Sequence, residues 1–97
     1  MDKLSSLKEQ VLPLLMPHAP VRVAVFGSYA RDQEKPGSDI DLLVAFEAPL
    51  GLFALSRLRR QLEERTGKKI DLVTEGGLSP HLMPYIKQNR KVLYQKP

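Results

Sequence analysis

Residues 21–46, VRVAVFGSYARDQEKPGSDIDLLVAF, decide how this chain folds. The opening VRVAVF is a β-branched run ending in an aromatic, which reads as a strand over 21–26. Gly27-Ser28 breaks it, and a short helix over roughly 28–32 can follow with Ser28 as its N-cap. Lys35-Pro36-Gly37-Ser38 is turn chemistry. IDLLVAF, residues 40–46, reads as a second strand that starts near Asp39. Asp39 and Asp41 are two apart, so their side chains leave one face of that strand. Ile40, Leu42 and Val44 leave the other, toward a core. Acids in an apolar strand run against propensity, and an ionised carboxylate is rarely buried without a partner.

On the N-terminal side, Leu4, Leu7, Val11 and Leu14 recur at helical spacing. Ser6 and Glu9 have capping-box spacing, with Asp2 as the alternative start. Pro13 is expected to end or kink this helix near Leu12, and Pro17 and Pro20 to bracket a loop. On the C-terminal side, Leu52, Leu55, Leu58 and Leu62 share one face of a helix over about 50–66, with Gly67 at its left-handed cap. IDLV, residues 70–73, reads as a third strand, with Asp71 between apolar neighbours. Gly76-Gly77 turns the chain. Ser79-Pro80 reads as a helix start that Pro84 restarts or breaks, and residues 92–94 as a short last strand.

The order α-β-α-β-α-β, then a short helix and strand, predicts an α/β (α+β) fold: a small mixed sheet with helices, in a single domain over 1–97. A helix between strands two and three makes them parallel neighbours by default. With strand one antiparallel to strand two, Gly27-Ser28 faces Asp39, Asp41 and Asp71.

Composition narrows the chemistry. The chain has 97 residues, no Cys and two isolated His, His18 and His81. Disulfides, thiolate metal sites, Cys nucleophiles and a His-rich metal site are therefore excluded. No apolar run approaches the ~18 residues of a membrane span. The N-terminus MDKLSSLKEQ does not read as a signal peptide, so a cytoplasmic setting is expected. Residues 1–48 carry five Lys/Arg against seven Asp/Glu, and residues 49–97 carry ten against four. The basic second half admits an acidic partner or nucleic acid, or a simple solvated face. With three Tyr, three Phe and no Trp there is little for base stacking, so nucleic acid ranks last.

Three carboxylates brought together repel one another, and a hard divalent cation relieves the conflict. Carboxylate oxygens suit Mg²⁺, which fills the rest of its shell with water and phosphate oxygens. Two such ions can clamp the attacking and leaving oxygens of an in-line phosphoryl displacement. The Gly27-Ser28 bend adds backbone room for phosphate and a helix start with free N–H groups. Arg31 lies one turn further on, within reach of a phosphate oxygen. Taken singly, each piece has a plainer reading: a capped turn at Gly27-Ser28, turn chemistry at Asp39, a surface Arg31, and an Asp71 ion-paired with Lys68 or Lys69.

Together, FGSYARDQEKPGSDIDLLV (26–44), IDLV (70–73) and the ending PYIKQNRKVLY (84–94) resemble the minimal nucleotidyltransferase family. Its superfamily includes the DNA polymerase β catalytic domain. The resemblance spans nearly the whole chain. It implies a Mg²⁺-dependent nucleotidyltransferase with two ions, in which a hydroxyl attacks the α-phosphate of a nucleoside triphosphate, ATP above others, and pyrophosphate leaves. It assigns Asp39 and Asp41 to both ions, and Asp71 to the catalytic ion and to deprotonation of the hydroxyl. Gly27 and Ser28 would cradle the β/γ-phosphates, with Arg31 and Ser38 on the nucleotide side. Asp32 departs from the family, which commonly has Gly there, and sets an acid near the phosphate side. So small a chain has little left to wall both a nucleobase pocket and an acceptor site, so a partner is expected to supply one. The resemblance implies the same: an antitoxin paired with a HEPN-type toxin, moving AMP onto a partner tyrosine. The alternative is an antitoxin that acts by docking without catalysis. Arg57, Arg59, Arg60 and Arg65 offer a helix face for such a partner.

Overall fold

A computed structural model of the chain describes residues 3–27, 29–30 and 37–97. Runs of aliphatic residues build four strands: β1 (Pro20–Phe26), β2 (Ile40–Phe46), β3 (Ile70–Thr74) and β4 (Lys91–Gln95). They form one mixed sheet in the order β3-β2-β1-β4. β1 is antiparallel to β2 and β4, and β2 is parallel to β3. Helix α1 (Lys3–Leu15) precedes the sheet, α2 (Leu52–Thr66) connects the parallel pair, and α3 (Met83–Asn89) leads into β4. This is the mixed α+β architecture that the element order predicts. Among the described residues no helix is long and apolar enough to cross a membrane.

Period-two and helical patterning converge on one core. Val23, Val25, Ile40, Leu42, Val44 and Ile70 of the sheet pack with Leu7, Val11 and Leu15 of α1 and Leu58 and Leu62 of α2. Most of these are fully buried, and each contributes about 1.5–3 kcal/mol of apolar transfer. Asp41 and Asp71 alternate with these residues along their strands. They therefore stand on the sheet face away from that core.

Proline placement is where the structure departs most from local rules. α1 runs through Pro13 to Leu15, and a 3₁₀ turn continues it over Met16–His18. Pro13 itself is exposed, while Leu15 has no exposed surface. Burying Leu15 offsets the hydrogen bond that Pro13 forfeits. Ser6 and Glu9 lie inside α1 rather than at its start. α3 begins at Met83, with Pro84 in its first turn, so Pro84 starts this helix and Ser79-Pro80 does not. Pro is preorganised for that position and lacks only an N–H that would be unbonded anyway. Gly76-Gly77 closes a 3₁₀ turn over Glu75–Gly77. β4 is five residues long rather than three. The short helix over 28–32 falls largely outside the described residues.

Glu75 ties three elements together. Arg22 Nη1 of β1 donates to Glu75 Oε1 at 3.0 Å and Oε2 at 2.8 Å. Arg90 Nη1, before β4, lies 3.8 Å from Oε2. The Glu75 and Arg90 side chains are each only 15% exposed. Arg90 Nη1 has no hydrogen-bond partner among the described residues, so Glu75 supplies its charge balance. Glu75→Ala strands two half-buried guanidinium groups and is expected to cost about 2 kcal/mol. In a chain this small that lowers Tm by roughly 10 °C. Thermal denaturation followed by circular dichroism measures it, and an unchanged Tm shows that the cluster is not structural. At the surface, Lys96 pairs with Glu47. The Glu47 hydrogen bond and charge raise the Lys96 pKa.

Candidate active site

Backbone register, not chain proximity, assembles this site. In the antiparallel ladder Phe26 is opposite Asp41. In the parallel ladder Asp41 is opposite Asp71. The end of β1 and the beginnings of β2 and β3 thus lie side by side, and strand spacing is about 4.8 Å. Gly27 directly follows Phe26, and Asp39 precedes Asp41 by two residues. Gly27, Asp41 and Asp71 therefore occupy neighbouring places at one end of the sheet. Asp39 and Ser38 lie just before β2 at the same end.

Gly27 is shaped for Asp41. Its φ of +71° lies in the left-handed region, which glycine enters without the Cβ penalty. A Cβ built there would stand 2.3 Å from Asp41 Oδ2 and 3.2 Å from Asp41 Cγ. The Asp41 carboxylate thus occupies the space that any other residue at 27 would fill.

Two long-range hydrogen bonds hold the strand starts in register. Ile40 N–H donates to Lys69 O at 2.9 Å. Ile70 N–H donates to Glu63 Oε2 at 3.0 Å, which fastens the end of α2 to the residue before Asp71. Gly67 caps α2 with φ +70°, its N–H bonded to Glu63 O. Glu63 thus fixes the backbone next to Asp71. Sequence reasoning missed it because an acid in the last turn of an amphipathic helix reads as a surface residue.

Asp39 and Asp71 are exposed, and Asp41 and Ser38 are partly buried. Among the described residues Asp71 makes no ion pair with Lys68 or Lys69, which removes the plainer reading of that acid. No group of three His, Asp or Glu side chains among them closes into a metal cage. The carboxylates form an open row. Hard oxygen donors in such a row fit Mg²⁺, which commonly takes one or two protein carboxylates and keeps other places for water and phosphate. Ser28, Arg31 and Asp32 lie outside the described residues.

The chain matches the model of the nucleotidyltransferase domain over residues 4–94. It is 40% identical over 79 residues to the "putative protein adenylyltransferase MJ0435" of Methanocaldococcus jannaschii, covering 81% of this chain and 85% of that one. It covers 65% of the length of three further M. jannaschii relatives. A solved structure described as a "putative minimal nucleotidyltransferase" superposes with a TM-score of 0.78 at 42% identity, over 94% of this chain and 95% of that one. A chain of the Shewanella oneidensis complex between a tri-AMPylated HEPN toxin and an MNT antitoxin shares the fold. Its TM-score is 0.78 at 22% identity, over 96% of this chain and 73% of that one. With a domain match across nearly its full length and relatives this similar, the chain belongs to the nucleotidyltransferase domain family, as a minimal nucleotidyltransferase.

Proposed function

We propose that the chain moves AMP from ATP onto a tyrosine hydroxyl of a HEPN-type protein partner, in the cytoplasm, with residues 1–97 acting as one nucleotidyltransferase domain. The observation that carries this reading is the row of Gly27, Asp41 and Asp71 at one sheet end. The adenylyltransferase name of the M. jannaschii relative and the AMPylated toxin of the Shewanella complex support the choice of nucleotide and acceptor.

In this mechanism the acceptor oxygen attacks the α-phosphorus. A bond forms between them, the bond from the α-phosphorus to the bridging oxygen breaks, and pyrophosphate leaves. Asp39, Asp41 and Asp71 would hold Mg²⁺, as two ions. When bound, the metal neutralises phosphate charge and stabilises the oxygens that gain charge in the transition state. Asp71, exposed at the start of β3, would take the hydroxyl proton. Asp41, packed against Gly27, is the acid whose orientation is most constrained. Gly27, without a side chain, would let the β/γ-phosphates approach its backbone, and Ser28, Arg31 and Ser38 would assist on the nucleotide side.

The test is incubation of the chain with a HEPN-type partner, Mg²⁺ and ATP labelled at the α- or γ-phosphate. Label from the α-position alone, a partner mass increased by whole AMP residues, and loss of transfer in EDTA with recovery on added Mg²⁺ are the expected results. Transfer of γ-label indicates a kinase instead. Neutralisation of the partner with no mass change supports docking without catalysis.

A further inference from the structure

The helix layer carries a second feature, on the face of α2 turned away from the core. Leu52 and Phe53, in the first turn of α2, are 85% and 90% exposed. Phe53, Arg57, Arg60 and Glu64 follow at helical spacing along the outward face, and all are exposed. Arg57, Arg59, Arg60 and Arg65 make no ion pair or hydrogen bond among the described residues. Beside the same helix end, Phe46, Pro49, Leu50, Leu55 and Thr74 line a cavity of about 400 Å³. An apolar end thus continues into a face on which Arg57 and Arg60 outnumber Glu64 and form no ion pair among the described residues.

We propose that this face of α2 and the adjoining cavity dock an acidic amphipathic helix of the protein that receives AMP. The inference rests on the protein-adenylylating reading above and deepens it by placing the substrate contact. Charge selects the occupant. An acidic helix meets Arg57 and Arg60 on the outward face while its apolar edge covers Phe53. A second copy of this chain would bring Arg57 and Arg60 against their own kind, since α2 carries four Arg against two Glu. A lipid surface needs a continuous apolar helix face, but Leu58 and Leu62 of α2 are committed to the core. The docking face lies on the helix side of the sheet, so Asp41 and Asp71 on the other side stay open to the acceptor. α2 spans about 22 Å, so a helix lying along it from Phe53 to Glu64 would run toward the sheet end where Glu63 holds Ile70 beside Asp71.

The probe is a fluorescein-labelled, acidic amphipathic peptide helix of about four turns, with a scrambled peptide of the same composition. Anisotropy titration is expected to give binding of the helix at least about tenfold tighter than of the scramble, weakening with salt. Phe53→Ala and Arg57→Glu/Arg60→Glu should each weaken it about tenfold or more without moving Tm, since these side chains are exposed. Asp41→Asn should bind the peptide as the unaltered chain does, so a failed docking surface and a failed catalytic assignment give different results. Equal binding of the scramble, or unaltered binding by the α2 variants, overturns the proposal. So does concentration-dependent dimerisation that Phe53→Ala abolishes. Binding to phosphatidylserine vesicles but not to the peptide overturns it in favour of a membrane surface.

Discussion

Asp41→Asn is expected to lower AMP transfer about a thousandfold or more while leaving the fold intact. Asp41 stands at the junction of both ladders, opposite Phe26 on one side and Asp71 on the other. The amide has nearly the volume of the carboxylate, so the space against Gly27 stays filled and the strands keep their register. What disappears is one negative charge and one oxygen donor where a hard cation would bind. Removing one preorganised electrostatic contact typically costs 10²–10³ in rate, and loss of a metal ligand adds to it. Steady-state transfer of α-labelled ATP gives the rate, and thermal denaturation gives the stability. Transfer by Asp41→Asn at the unaltered rate refutes the assignment of Asp41. The same substitution at Asp39 separates that acid's role from simple turn chemistry at the start of β2.

Gly27→Ala is expected to lose both stability and activity, and Gly67→Ala stability alone. The two glycines have nearly the same backbone, φ +71° and +70°. Left-handed backbone costs a residue with a Cβ about 1–2 kcal/mol at either place. Around Gly67 an added Cβ meets nothing within 4 Å, whereas at Gly27 it lies 2.3 Å from Asp41 Oδ2. Alanine at 27 must therefore displace the Asp41 carboxylate or bend the end of β1. Its cost is expected to exceed that of Gly67→Ala by about 1–2 kcal/mol, with transfer down about a hundredfold. Denaturant unfolding of both variants isolates the collision, because the strain cancels in the difference. In an Asp41→Ala background the excess should vanish. Equal stability of the two glycine variants would mean that Asp41 swings aside freely, and the steric account would fail.

The elements of this fold follow closely from local patterning. Strands at VRVAVF and IDLLVAF, the α2 face of Leu55, Leu58 and Leu62, and the Gly67 cap were each readable because period and cap chemistry act within a few residues, but Leu52, expected on that face, lies in the first turn beyond the core and is 85% exposed. Pro13 sits inside α1 because Leu15 is drawn into the core, and Pro84 opens α3 although Ser79-Pro80 carries the same local signal. At Pro13 burial outweighs propensity, whereas Pro84 occupies the first turn that proline favours. Glu63 and Glu75 were unreadable for a related reason. Their partners, Ile70 N–H and the Arg22 guanidinium, are 7 and 53 residues away, and no local pattern encodes such a contact.

The candidate site divides along the same line. Sequence alone established that acids stand inside apolar strands at 41 and 71 and beside one at 39, and that a glycine follows the first strand, because side-chain alternation along a strand is a local property. The sequence pointed to their convergence only by assuming that strand one pairs antiparallel with strand two, and the folded chain decided that pairing and its register, which make Gly27, Asp41 and Asp71 neighbours. They are far apart along the chain and meet through inter-strand hydrogen bonding, whose register is set by the packing of Ile40, Leu42 and Ile70 beneath them.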